Sequence, residues 1–163
     1  MDIIIKEMET EEEIKAKGYV DWKTVREAYS GVLSQDYFDT AETLEKCVER
    51  AFKWKDAYLV AKDGDMVVGF VGYGKCRYND LGNAGEVIAL YILQEYYGKK
   101  IGYGLMNEAV ERLAEYDRVV VRVLEGNDRA IRFYERYGFR FDGFRETVVL
   151  GTEQTVLRMV LEK

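Results

Sequence analysis

The sequence predicts a single α/β domain. Three features carry that expectation: a length of 163 residues, a strand-rich hairpin in the first half, and a strand, glycine loop, helix, strand succession in the second. A chain of this length buries roughly 70% of the surface that its unfolded form exposes, enough for one core without disulfide staples. Hydrophobic residues make up 48% of the chain and aromatics 13%, the composition of a folded domain rather than a disordered one. Residues 1–163 are therefore expected to form one unit, with no repeat, linker or low-complexity stretch to divide it.

Ile3 to Met8 opens with β-branched residues and reads as a short first strand. Thr10, followed three residues later by Glu13, has the pattern of a capping box, and Ile14, Tyr19, Val20, Trp22, Val25, Ala28 and Tyr29 recur with helical spacing. Gly18 is expected to interrupt this helix and Gly31 to end it. A second helix is expected from a cap at Thr40, with Leu44, Cys47, Val48, Ala51 and Phe52 on one face. From Ala57 the period changes to that of a hairpin turning at Asp63-Gly64-Asp65. Gly85 to Leu93, GEVIALYIL, is an almost unbroken apolar run, as expected of a central strand covered on both faces. A helical stripe on Leu105, Met106, Ala109, Val110 and Leu113 follows, then a strand over Arg118–Leu124, completing a βαβ unit. A helix from Asn127 to Tyr137, stopped by Gly138, and two strands, FRFDGFRETVVL and TVLRMVLEK, finish the chain.

Composition excludes several chemistries. Cys47 and Cys76 are the only cysteines and histidine is absent, so neither a disulfide scaffold, nor a Cys/His metal site, nor a histidine-activated nucleophile can be built. Carboxylates, tyrosine, lysine and backbone N–H groups remain. A net charge of −6 opposes nucleic acid and anionic membrane as partners and mildly favours a cationic small molecule. No apolar run approaches the roughly 20 residues of a membrane span, and the start, MDIIIKEMETEEE, lacks the basic flank of a secretory signal, so a cytoplasmic location is expected.

The segment from Gln94 to Met106 lies between the buried strand and an amphipathic helix. Glycines let a backbone approach a ligand closely, while free N–H groups and the dipole at a helix start favour phosphate oxygens; Lys99 and Lys100 add charge there. The segment lacks the Gly-Lys-Ser/Thr of a nucleoside triphosphate loop and the Gly-x-Gly-x-x-Gly of a dinucleotide fold.

This loop resembles the pyrophosphate loop of the GNAT superfamily of N-acetyltransferases, Gln/Arg-x-x-Gly-x-Gly/Ala. With Gly102 on the second glycine, Tyr97 takes the Gln/Arg position and Lys100 that of the first glycine, while Gly98, Lys99, Ile101, Gly102 and Gly104 follow the usual run. A second block, Asn127 to Phe139, is similar to the family's Asn-x-x-Ala-x-x-Phe-Tyr-x-Lys/Arg-x-Gly-Phe. The resemblance spans Ala57 to about Tyr137. Trp22, Arg26, Tyr29 and Gly31, with Asp36 to Asp39, are similar in style to bacterial members described as polyamine or small-amine acetyltransferases. The resemblance implies a mixed, mostly antiparallel twisted sheet of about seven strands with about four helices, and acetyl-CoA as cofactor.

It also implies roles. Ile92 and Leu93 would offer N–H groups to the thioester oxygen. Tyr97, Gly98, Lys99, Lys100, Ile101, Gly102, Tyr103 and Gly104 would hold the pyrophosphate, and Asn127, Ala130, Tyr134 and Arg136 would line the cofactor from the later helix, Arg136 meeting its 3′-phosphate. Tyr134 would protonate the thiolate. Glu86, eleven residues before Tyr97, matches the spacing of the general-base glutamate of histone acetyltransferases in the same superfamily; pairing with a lysine or capping a strand end is its other reading. An alkylamine has a pKa of about 10, so only about one in a thousand is neutral at pH 7 and a base helps. Trp22, Tyr29, Tyr37, Phe38 and Tyr73 are the aromatic candidates for an acceptor pocket, with Asp36 and Asp39 suited to a cationic amine. The expected partner is a small-molecule amine, with a homodimer expected from the family's habit of joining C-terminal strands. Two alternatives stay open: an enzyme acting on protein N-termini, including those of ribosomal proteins, and a coenzyme A-binding protein without catalysis.

Overall fold

In the computed structural model, which describes residues 1–163, strand β1 (Ile3–Glu7) leads into helix α1 (Glu11–Tyr29) through the expected capping box. Thr10 Oγ1 accepts the Glu13 N–H at 3.1 Å, and Glu13 Oε1 accepts the N–H groups of Thr10 at 3.2 Å and Glu9 at 2.7 Å. Glu13 Oε2 meets the ammonium groups of Lys6 at 2.7 Å and Lys62 at 2.9 Å. One carboxylate thus satisfies the helix start and ties it to two strands.

The next segment corrects the sequence reading. Thr40 is not a cap. It lies inside a short helix, α2 (Gln35–Ala41), where its hydroxyl donates to the Asp36 carbonyl; Ser34 caps α2 and Thr43 caps α3 (Leu44–Lys53). Seven residues are too few to show a helical stripe, so α2 is hidden in the sequence and the α-helices number five rather than about four. Nor does Gly18 interrupt α1. A Cβ there would lie 2.7 Å from the Val48 Cα, so the glycine lets the backbones of α1 and α3 touch. The helix does end at Tyr29, two residues before Gly31, whose φ is 82°.

Strands β2 (Tyr58–Asp63) and β3 (Met66–Lys75) form the predicted hairpin, and β4 (Ala84–Ile92), α4 (Ile101–Arg112) and β5 (Arg118–Leu124) form the βαβ unit. Helix α5 (Asp128–Tyr137) and the hairpin of β6 (Arg140–Leu150) and β7 (Thr152–Glu162) follow. The strand order is β1-β2-β3-β4-β5-β7-β6, with β4 and β5 the one parallel pair. Helices α1 and α4 cover opposite faces. Phe70 of β3 lies under Lys17 of α1, while Tyr73, an odd number of residues on, meets Arg112 of α4. Lys17 is wholly buried with its ammonium 3.5 Å from the Tyr58 ring centroid and 3.5 Å from Asp21; burial pulls its pKa down to about 8 against the opposing pull of Asp21.

The site is positioned by the way β4 and β5 part. They pair from Ala84↔Arg118 only to Val87↔Val121. At that point β4 carries a bulge, because Tyr73 pairs with Val87 and Gly72 with Ala89, leaving Ile88 over. Beyond it β4 stays with β3 as far as Ile92, and β5 stays with β7 as far as Leu124, so the sheet opens between them.

Burial raises the Glu13 pKa, but the bonds from Lys6, Glu9, Lys62 and Thr10 outweigh it and hold the carboxyl at about 2, below the ordinary 4.5. A folded value below the unfolded one adds stability that is present above about pH 4.5 and lost as pH falls toward about 2. Glu13→Gln is expected to lower stability at pH 7 by about 1–2 kcal/mol and to flatten the acid limb of a urea-unfolding series over that window. An unchanged acid limb would assign the acid sensitivity elsewhere.

Candidate active site

The split opens into a cleft of about 640 Å³. Its walls include Ala28 and Tyr29 of α1 from one face of the sheet, and residues of α4 and α5 from the other, so the cleft passes through the sheet. Five cations line it, Lys100, Arg122, Arg129, Arg132 and Arg136, and no carboxylate does. Arg122 is paired with Glu146 at 2.9 Å, but the other four enter none of the protein's ion pairs. In a chain of net charge −6 that is a strong local inversion, and it suits an anionic ligand.

The loop before α4 carries it further. Helices α1, α2, α3 and α5 each start with a side-chain cap, whereas α4 has none, and its first N–H groups, from Ile101, Gly102 and Tyr103, have no acceptor in the protein. Lys100, on the family's glycine position, takes the left-handed conformation itself, φ 64° and ψ 16°, the only residue other than glycine with positive φ. Gly102 lies in close packing: a Cβ would meet Ile92 Cδ1 at 3.1 Å, so that side chain would have to shift, and Phe133 Cε1 at 3.4 Å, where α4 presses on β4 and α5. Tyr97, Gly98, Lys100, Ile101, Gly102 and Tyr103 line the cleft, while Lys99 and Gly104 do not; Gly104 instead faces Ile5 of β1.

From α5, Asn127, Ala130, Tyr134 and Arg136 all line the cleft, with Asn127 also capping the helix by accepting the Ala130 N–H. Tyr134 is buried, and no protein group hydrogen-bonds its hydroxyl. Since no side-chain polar atom is both buried and unpartnered, that hydroxyl opens into the cleft. Burial raises its pKa above the ordinary phenol value, helped by Tyr29, so the group stays protonated at neutral pH. Beside it the Tyr29 and Tyr91 hydroxyls lie 3.4 Å apart.

Several expected site residues lie elsewhere. Glu86 is buried but does not line the cleft; Arg77 clamps it with Nε at 3.1 and 3.0 Å, Nη2 at 2.7 Å and its backbone N–H at 3.1 Å. A carboxylate so engaged is a structural ion pair, not a base facing the split. The Leu93 N–H is spent on the Val68 carbonyl at 2.9 Å, so strand alternation leaves Ile92, not Leu93, to present its N–H toward the opening. Tyr73 sits on the α4 face beneath Arg112, away from Tyr29. Asp36 is exposed on α2, and Trp22 stacks on Arg26 rather than entering the cleft. Sequence reasoning missed Tyr91, Arg122, Arg129 and Arg132. Tyr91 could have been found as the one hydroxyl in an apolar run, but nothing local marks the arginines.

The family model described as the acetyltransferase (GNAT) family matches residues 22–139. The chain is 34% identical over 123 residues to an uncharacterized N-acetyltransferase of Archaeoglobus fulgidus, covering 70% of this chain and 80% of that protein. It is 32% identical over 120 residues to the spermine/spermidine N(1)-acetyltransferase of Bacillus subtilis, covering 68% and 78%. In fold it is similar to the PaiA N-acetyltransferase of Thermoplasma acidophilum, solved in complex with coenzyme A, with a TM-score of 0.78 and 21% identity over 100% of both chains. PH1933 of Pyrococcus horikoshii gives 0.75 and 23% over 99% of each.

Because Lys100 holds the left-handed turn without being glycine, Lys100→Gly is expected to leave stability unchanged or raise it by up to about 1 kcal/mol, whereas the β-branched Lys100→Val lowers it by about 1–2 kcal/mol. Urea unfolding measures both. A valine variant as stable as the native protein would show that the turn does not hold this conformation.

Proposed function

This chain belongs to the acetyltransferase (GNAT) family and is an acyltransferase, and on that premise we propose that it moves the acetyl group of acetyl-CoA onto a primary amine of a small cationic molecule, a polyamine being the leading candidate. The observation that carries the reading is the cleft through the sheet, lined by unpaired cations and no carboxylate, with a free tyrosine hydroxyl in its wall. Those features fit coenzyme A: phosphates suit Lys100 and the uncapped N–H groups of α4, and a thioester brought into the split would lie against Ile92 and Tyr134. The bound cofactor supplies an activated acyl group on a thiol leaving group.

The residues of the chain do the rest. The Ile92 N–H stabilises negative charge building on the carbonyl oxygen as the amine attacks. Tyr134, protonated at neutral pH, supplies a proton to the departing thiolate. With no carboxylate in the cleft, the amine loses its proton to water beside the Tyr29 and Tyr91 hydroxyls.

Two observations support a small cation as acceptor. The five cleft cations are already counted in the net charge of −6, so the rest of the protein carries −11, which draws cations toward it. Beside Tyr29, which lines the cleft, α2 also packs against α1 and the β6–β7 hairpin. Tyr37 of α2 abuts Gly151 at the tip of the β6–β7 hairpin, and Phe38 packs with Val25 and Leu33, with Leu150 against them. Such packing beside the cleft favours a small molecule over a protein N-terminus. The Bacillus subtilis relative's name, spermine/spermidine N(1)-acetyltransferase, points the same way.

Thiol release from acetyl-CoA, followed over a panel of polyamines, amino acids and peptides, tests the reading. Turnover is expected with di- and polyamines first, and Tyr134→Phe is expected to cut it about 10²-fold while coenzyme A affinity holds. Glu86→Gln is expected to keep the shape of the pH–rate profile and to lose about 1.5–3 kcal/mol of stability, as for a hydrogen-bonded charge removed from the interior. Coenzyme A binding without turnover on any amine would leave a binding protein instead, and a profile that loses its acid limb in Glu86→Gln would restore Glu86 as the base.

A further inference from the structure

Among the unpaired cations Arg129 is held in an unusual way. It rises from the first turn of α5, and its guanidinium lies 3.7 Å from the centroid of the Tyr97 ring, which belongs to the loop before α4. Both residues line the cleft, so the side chain reaches from one wall to the other. A guanidinium laid flat on an aromatic ring uses its face for the stack and keeps its N–H donors free in the plane. Those donors have no carboxylate or carbonyl partner here, and three residues beyond Tyr97 stands Lys100, also unpaired and also in the wall. A planar fork of free donors, preorganised beside a second cation, suits an anion that can accept two parallel bonds, as a phosphate does.

We propose that Arg129, stacked over Tyr97, binds the diphosphate of coenzyme A, adding charge from α5 to that of Lys100 in the loop. The inference rests on the acetyl-CoA reading. It also gives Tyr97 a role: it is the platform that orients the arginine, in place of a Gln/Arg side chain at that position. Because platform and guanidinium are 3.7 Å apart, an arginine at position 97 would bring its own charge close to where Arg129 now holds it.

Isothermal titration with coenzyme A, and competition with pantetheine, which has no phosphate, provide the test. Arg129→Ala is expected to weaken coenzyme A about tenfold, the loss of one charge-assisted contact, and to leave pantetheine unchanged. Tyr97→Arg combined with Arg129→Ala is expected to recover most of that loss, which a variant damaged in folding would not do. Coenzyme A affinity within about twofold of native in Arg129→Ala, an equal loss for pantetheine, or a double variant as weak as the single one would each overturn the proposal while the acetyltransferase reading stands. Failure of the native protein to bind coenzyme A would remove both.

Discussion

The site depends on one interruption of backbone pairing. Parallel strands β4 and β5 stay bonded to Val87 and Val121 and then separate, each keeping its outer partner, so the sheet opens without losing a strand. The bulge at Ile88 adds a residue to β4 where the last parallel pair ends, turning that strand away from β5. Backbone groups on the inner edges then need partners other than a neighbouring strand. The amide-bearing arm of coenzyme A is chemically suited to such an edge. Everything else in the cleft, from the Ile92 N–H to the Tyr134 hydroxyl, is useful only because this gap exists.

Charge is distributed around the gap with the same consistency. Four cations of the cleft wall, Lys100, Arg129, Arg132 and Arg136, are left without an acidic partner, whereas the most buried arginine elsewhere, Arg158, is held by Asp80 and Asp142. Unpaired guanidinium groups repel one another, so their gathering on one wall costs stability unless an anion arrives. Lys100 adds backbone strain in the left-handed region. Strain at Lys100, repulsion among the arginines of α5 and a helix start left without a cap are what a site built for a phosphate ligand accumulates.

Much of the fold was legible from local pattern. The capping box at Thr10 and Glu13, the hairpin around Gly64 and the strand over Arg118–Leu124 appear where the residues announce them, because each is decided by neighbours a few positions away. The short helix α2 was not, since its seven residues carry no period and its cap, Ser34, differs little from any loop serine. The site was legible in outline only. The spacing of Glu86 suggested a base, yet spacing along a strand says nothing about Arg77, which folds back from the end of β3 to claim the carboxylate. Tyr73 looked like part of an aromatic wall until strand alternation put it on the far face.

The sequence by itself determined the class of fold, the order of its elements, the glycine loop and the α5 block, and through them the family, because these depend on periodicity, capping and turn chemistry within a few residues. Only the tertiary structure decided where β4 and β5 part, which carboxylates are already engaged, and which tyrosines and arginines share the cleft. Tyr29 meets Tyr91 across 62 positions of chain, and Tyr97 meets Arg129 from another element altogether. Such contacts come from the packing of α1, α4 and α5 on the two faces of one split sheet, and no local spacing encodes the face on which a distant side chain will stand.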